Sequence, residues 1–242
     1  MSRWPDLTER SAALELMDDL SIGGDELAEA LLQLRVINRA LGSAWPTLEG
    51  VLRLWGAAGR PARLSILDVG AGSGDINRLL LAWAGRQGVD MRITLVDIHP
   101  ETCAAAAAYY RDEPRVQVVC SDVLRLATGA ADIATTALFT HHFPTEQLPE
   151  IYTALARAAR LGVVVNDLHR HPLAWAGIWA ATRLLSRNRM IRHDAPLSVR
   201  RGFQAAELRQ LRAAPGLAGL TYRWRPFFRY LIMLPGAAPQ AR

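Results

Sequence analysis

The chain has 242 residues, half of them hydrophobic, with a formal net charge of +5 and two cysteines. That length and apolar content support a sizeable core and exclude a disordered chain. All 28 basic residues are arginine, which is a compositional bias, and no tight basic run with interleaved aromatics marks a nucleic-acid surface. Cys103 and Cys120 lack metal-ligand spacing and make no disulfide framework, and Cys120 is expected as a buried strand residue. Free thiols without a leader segment give the expectation of a cytoplasmic protein. No run reaches the roughly 20 apolar residues of a membrane span, so no stable membrane insertion is expected. No internal repeat is found.

Residues 8–20 and 25–41 are predicted as amphipathic helices. The first carries Leu14, Leu16, Met17 and Leu20; the second carries Leu27, Leu31, Leu34, Ile37, Asn38 and Leu41. Gly23-Gly24 separates them and Gly42 ends the second. A third segment, 46–56, leads to the first strand.

Residues 64–76 read Leu-Ser-Ile-Leu-Asp-Val-Gly-Ala-Gly-Ser-Gly-Asp-Ile. An apolar run, a glycine turn and then an amphipathic segment (75–86) are how a buried parallel strand feeds a helix. Gly70, Gly72 and Gly74 let the backbone turn tightly and let a ligand approach it, while the helix aims its N-terminal amides at that ligand. A dinucleotide fingerprint needs G-x-G-x-x-G. Here the third glycine comes one residue early, and Asp75 stands where that pattern wants glycine. Asp75 puts negative charge where a pyrophosphate would sit, and Asp68 adds another acid. Such a turn suits a cofactor bearing an ammonium group better than one bearing phosphates.

The order D-x-G-x-G-x-G resembles the first motif of the class I S-adenosylmethionine-dependent methyltransferases. The resemblance covers roughly residues 60–235 and implies S-adenosylmethionine as cofactor, held by Asp68, Gly70, Ala71, Gly72, Gly74 and Asp75. A second motif follows at 92–100, where a β-rich run ends in Asp97. The distance from the glycines fits an acid that reaches a ribose diol, since one carboxylate can accept both hydroxyl protons. Ile98 follows it in the same site. At 116–120 a third strand closes on Ser121-Asp122; the resemblance places Asp122 beside an adenine amine and offers the Val123 amide to the ring.

Further along, 132–140 is predicted as strand four, 146–160 as a helix, and 162–166 as strand five ending at Asp167. The segment 172–186 is predicted as a helix carrying Trp175 and Trp179, 204–214 as another helix, and 219–235 as two strands with Pro226 near their turn. The expected fold is α/β: a Rossmann-like, seven-stranded, mostly parallel sheet with a C-terminal antiparallel hairpin, plus N-terminal helices. Residues 1–60 are expected to form a helical cap that selects the substrate. Residues 61–242 are expected to form the catalytic domain, with a lid-like insertion near 168–203.

In an open α/β sheet the ligand crevice lies outside the carboxyl ends of the strands. The loop after strand four, Phe139-Thr-His-His-Phe-Pro, is therefore a place for chemistry, with Phe139 toward the cofactor. Methylation of a phenol needs close placement of the acceptor oxygen and removal of its proton, and histidine titrates in the useful range. His142 and His141 are the first candidate bases. His169, in Asn166-Asp167-Leu-His-Arg-His, is the third, and His171 reads as loop polarity. No metal is predicted. The Met17-Asp-Asp segment, Asn38, the His-His-Phe loop and the Asn-Asp-Leu-His-Arg segment resemble bacterial small-molecule methyltransferases of quinones and aromatic polyketides. O-methylation of a phenolic or hydroxyquinone acceptor is expected, with C-methylation of a ring as the near alternative. An NAD-dependent oxidoreductase or a non-catalytic cofactor-binding partner are the readings from other classes. The tryptophan-bearing helix gives an apolar lining for an aromatic or lipid-like substrate. The arginine cluster over 183–201, which includes Arg192-His193-Asp194, offers a surface to an acidic partner or membrane headgroups.

Overall fold

The structure is a computed structural model and describes residues 5–236. Its centre is a seven-stranded sheet in the order β3-β2-β1-β4-β5-β7-β6. The first five strands are β1 (Arg63–Val69), β2 (Asp90–Asp97), β3 (Val116–Cys120), β4 (Ala131–Ala137) and β5 (Ala159–Leu168). They pair in parallel. β6 (Thr221–Arg225) and β7 (Arg229–Pro235) close the sheet, and β7 runs antiparallel to both β5 and β6. The expected Rossmann-like architecture and its closing hairpin are thus present. β1 lies beside both β2 and β4, so chain order reverses there and leaves a crevice at the carboxyl ends of those strands.

Helices α2 (Ala44–Ala57), α3 (Asn77–Gln87) and α4 (Pro100–Tyr109) cover one face. Leu48, Val51, Leu80, Trp83 and Tyr110 meet Ile66, Ile93 and Val164 there in one buried cluster. On the other face α5 (Leu148–Ala158) and α8 (Ala205–Arg212) set Ile151, Tyr152, Leu155 and Leu208 against Val163, Val165 and Ile232. A separate small cluster joins α1 (Gly24–Ala40) to α7 (Arg189–Arg201) through Leu27, Ala30, Leu31, Met190 and Ile191. The segment expected as one N-terminal cap is therefore split between two layers. α1 sits with α6 (Pro172–Leu185) and α7 over the crevice, while α2 belongs to the sheet. Gly50 makes that second contact close, since a Cβ there would lie 2.4 Å from the Val164 side chain.

Three expectations are corrected. Residues 8–20 do not form a helix: only Leu16–Asp18 makes a short 3-10 turn, and the residues before it run as a strap. Its hydrogen bonds go outward: Ser11 N–H donates to the Arg200 carbonyl, and Arg170 donates to the carbonyls of Leu7 and Thr8. Cys120 is exposed because β3 is an edge strand, whereas Cys103 is buried. The segment around Arg192-His193-Asp194, placed by the sequence only within a lid-like insertion with no helix of its own, lies inside α7, which holds Pro196 in its interior. Proline removes the N–H that would have bonded to the Arg192 carbonyl. Arg183 satisfies that carbonyl instead, with Nη1 at 2.7 Å.

Candidate functional site

The glycine turn after β1 takes a conformation that side chains resist. Gly70, Gly72 and Gly74 have φ of 63°, 57° and 71°. A Cβ on Gly70 would fall 2.0 Å from the Phe139 ring, and one on Gly74 would fall 2.5 Å from Leu95. Gly72 faces open space and accepts no such contact, because it fronts the cavity. Tyr110 pins the turn from below, its hydroxyl donating to the Gly74 carbonyl at 2.7 Å. Asp97, at the end of β2, accepts from the Gly72 N–H at 2.9 Å and from the His99 N–H at 3.0 Å.

A cavity of about 640 Å³ opens at this point. Of the residues expected to hold the cofactor, Gly70, Ala71, Gly72, Asp75, Asp97, Ile98, Asp122, Val123 and Phe139 all line it. Asp68 and Gly74 do not. Asp68 is buried beneath the turn, where it accepts from Asn77 at 2.6 Å and Thr135 at 2.8 Å. Burial pushes its carboxyl up to about 6. It positions the turn from behind instead of facing a ligand. Asp75 accepts from the Asn38 amide at 3.3 Å and from Ser73 at 3.2 Å, so α1 is tied directly to the glycine turn.

The other half of the cavity is apolar. Leu27, Leu31, Leu34 and Leu41 of α1 and its C-terminal neighbour face Leu173, Ile178 and Ala181 of α6 across it. The helix spacing of three and four puts each set on one face.

A cluster of charged side chains also meets this cavity, through Glu15, Asp18, His141 and His142. Asp167, at the end of β5, is fully buried. It accepts from Thr140 Oγ1 at 2.7 Å and from the His141 and Leu168 N–H groups, and it meets His141 Nδ1 at 2.6 Å. The far nitrogen of His141, Nε2, faces Glu15 Oε1 at 3.6 Å. Burial works to lower the His141 value, yet the Asp167 carboxylate and then Glu15 overcome it and raise it to about 9. The same pairing outweighs burial at Asp167 and holds its carboxyl well below the usual range. His142 lines the cavity; its Nδ1 meets Asp18 Oδ1 at 2.6 Å, and its Nε2 lies 4.0 Å from Glu15 Oε2. For Asp18 and Glu15, burial is likewise outweighed by the adjacent histidines, and both are lowered. Arg201, buried, donates to the carbonyls of Ala13, His141 and His142 and lies 3.8 Å from Glu15 and 3.6 Å from Asp18. Arg10 donates to the carbonyls of His141 and Phe143, both at 2.9 Å.

Glu15 and Asp18 escaped the sequence reading as site residues. They lie more than 120 residues from the histidines they face, in a segment whose leucine pattern reads as a helix. Only the Met17-Asp-Asp resemblance pointed there. His169 falls outside the cavity lining: it bridges to Phe203, and its ring meets His171 at 5.4 Å and Tyr230 at 5.1 Å. His171 caps α6 by accepting from the Leu173 N–H at 3.2 Å. Glu15, His141 and His142 bring three ligand-type atoms within 4.8 Å of one another, the one such group among the described residues. The retained proton on His141 and the Arg201 guanidinium beside Glu15 both oppose a cation there.

Residues 66–162 match the family model described as a methyltransferase domain. No curated protein matches the chain. Among solved structures, the plantazolicin methyltransferase BpumL with bound S-adenosylhomocysteine is similar at a TM-score of 0.62 and 13% identity, over 88% of this chain and 95% of that one. Magnesium protoporphyrin IX methyltransferase from Synechocystis PCC 6803, also with S-adenosylhomocysteine, has a TM-score of 0.54 and 15% identity, over 83% and 87%. The citrinin polyketide synthase CMeT domain has a TM-score of 0.55 and 14% identity over 73% of this chain, which spans only 47% of that one. The family match and the shared fold bear out the resemblance to class I S-adenosylmethionine-dependent methyltransferases drawn from the glycine turn.

The buried pair gives stability a defined pH dependence. His141 binds its proton more tightly when folded, 6.5 rising to about 9. Its contribution is full below 6.5 and lost as pH climbs through 9. Asp167 has the opposite sign: its contribution is present above 3.8 and lost as pH falls. Asp68, raised from 3.8 to about 6, has the opposite sign to Asp167: ionising it while buried costs stability as pH rises across that lower window, so it offsets part of the acid-side loss. The melting temperature should therefore fall between pH 6.5 and 9, and His141→Gln should flatten that limb and weaken the Asp167 limb with it, since the imidazolium is the main cause of the lowered Asp167 carboxyl. An unchanged upper limb in the variant would refute the assignment.

Proposed function

We propose that this protein transfers a methyl group from S-adenosylmethionine to the oxygen of a phenolic or hydroxyquinone small molecule with an apolar body. The carrying observation is that the Asp18–His142 pair lines the same cavity as the glycine turn and the apolar residues of α1 and α6. When bound, S-adenosylmethionine supplies an electrophilic methyl group on a sulfonium. The residues present fit it. The open face of Gly72 allows close approach of a ligand to the main chain, and Asp97 keeps acceptor capacity beyond its two backbone bonds for a ribose diol. Asp75 gives the ammonium-bearing end a carboxylate, and Asp122 and Val123 line the cavity where the adenine would rest.

The chain's own contribution is placement and proton removal. Asp18 on Nδ1 fixes the His142 ring, leaving Nε2 to accept the acceptor's hydroxyl proton as the new oxygen–carbon bond forms. His141 is the wrong choice for that base, because it already holds its proton between Asp167 and Glu15. It acts as a fixed cation that positions the loop.

Asp97→Ala should weaken S-adenosylhomocysteine binding in calorimetry by at least about tenfold, through the loss of charged hydrogen bonds of ~1.5–3 kcal/mol each. Unchanged affinity would remove the ribose role. With a panel of alkyl-substituted phenols and hydroxyquinones as acceptors, His142→Gln should lower kcat by roughly 10²-fold or more and leave cofactor affinity intact. Turnover equal to the parent would place the base elsewhere. Activity should survive chelation; its loss, with recovery on adding a divalent ion, would instead make Glu15, His141 and His142 metal ligands.

A further inference from the structure

Helix α6 carries more apolar surface than the cavity uses. One face closes the cavity, through Leu173, Ala174, Gly177, Ile178 and Ala181. The same face runs on past the cavity into the last turn, where Leu184 and Leu185 are 82% and 87% exposed, and Trp179 on the outward side is 42% exposed. Thr182 is the one residue of this helix that is buried. A helix on a globular surface normally turns a charged face outward; this one turns outward leucine and tryptophan.

Along the segment itself the charge has a single sign, although Glu26 and Glu29 of α1 lie beside Asn188 and Arg189. Residues 172–192 contain no Asp or Glu but carry Arg183, Arg187, Arg189 and Arg192. Arg189 is paired with Glu26 at 3.1 Å, whereas Arg183 and Arg187 are exposed, and the Arg183 guanidinium lies 5.6 Å over the Trp179 ring. The mouth of the cavity shares this character. Leu20, Leu173 and Phe227 line the cavity and are nonetheless 52%, 66% and 59% exposed. The rim of the entrance is thus as apolar as the outer side of the helix whose first turn forms part of it.

We propose that this face docks on the surface of an anionic lipid bilayer, with α6 lying in the interface plane and the cavity mouth turned toward the acyl chains. Tryptophan and leucine with arginine at one end, and no acid, are what an interfacial helix needs. No helix among the described residues is long and apolar enough to cross a membrane, so the contact is peripheral. A second copy is a poorer occupant, because a two-fold contact through this face would set arginine against arginine. The inference rests partly on the reading of an apolar acceptor, which would partition into the same bilayer.

The test is sedimentation of the full chain with vesicles of phosphatidylcholine alone, or of a three-to-one mixture with phosphatidylglycerol. Binding to the anionic vesicles is expected, about tenfold weaker on the neutral ones and weaker at raised salt. The double variant L184E/L185E should lose at least about tenfold in vesicle affinity, while its S-adenosylhomocysteine binding stays unchanged, since neither leucine lines the cavity. Parent protein left in the supernatant overturns the proposal, as does equal binding by the variant. A concentration-dependent dimer that the variant dissolves, without vesicle binding, assigns the face to a second copy. Vesicle binding is read without cofactor. Failure of S-adenosylhomocysteine to bind would therefore overturn the methyl-transfer reading while leaving the docking result to stand by itself.

Discussion

The contact between Asp167 and His141 organises everything above the sheet. Asp167 lies at the end of β5, an interior strand of the sheet, and burying a carboxylate there is affordable only because it is fully partnered, by Thr140, two backbone amides and an imidazolium. Once His141 is held on one nitrogen, its other nitrogen attracts Glu15. Glu15 in turn draws in Arg201, whose guanidinium gathers the carbonyls of Ala13, His141 and His142. The N-terminal strap, the loop after β4 and α7 are thus fastened at one point by charges that cannot be left alone. Removing one partner from such a set typically costs about 3–5 kcal/mol, because the remainder stays buried and unpaired.

This explains why the strap is not a helix. Its leucines fall at helical spacing, but Leu14 is 73% exposed and contributes little to the core. The segment's backbone is satisfied from outside instead. Asp194 of α7 accepts the N–H groups of Leu16 and Met17 at 2.8 and 3.0 Å, and Arg170 and Gln204 take the carbonyl of Leu7. These partners sit more than 150 residues away, so no local pattern reveals them. α7 was hidden for a related reason. A proline in its middle reads as a break, and only the approach of Arg183 to the freed Arg192 carbonyl makes the helix tolerable.

By contrast, the sheet and the glycine turn were legible because their causes are local. Apolar runs ending in acids mark buried parallel strands, and the alternating glycines are required wherever the backbone takes positive φ under Phe139 and above Leu95. The acids at the ends of β2 and after β3 reach the cavity as expected. The histidine loop lies at the cavity, but the partners of its two histidines were not legible. Two adjacent histidines look alike in sequence. Both line the cavity and both approach Glu15; what separates them is that His141 is fully buried against Asp167, whereas His142 is partly exposed and meets Asp18. Cys120 was misplaced because strand order, not strand composition, decides which strand lies at an edge.

The chamber also has a built-in direction. The residues that α1 and α6 give it are aliphatic except for Asn38, whereas the strap and the histidine loop give it Glu15, Asp18, His141 and His142. In the reaction proposed above, the hydroxylated end of the acceptor would meet His142 and its apolar body the leucines of α1 and α6, so that both ends are matched in one orientation. The strap does not need to touch the acceptor's body to matter for selection. By holding Glu15 and Asp18 against the histidine loop, it defines where the polar end of the chamber is.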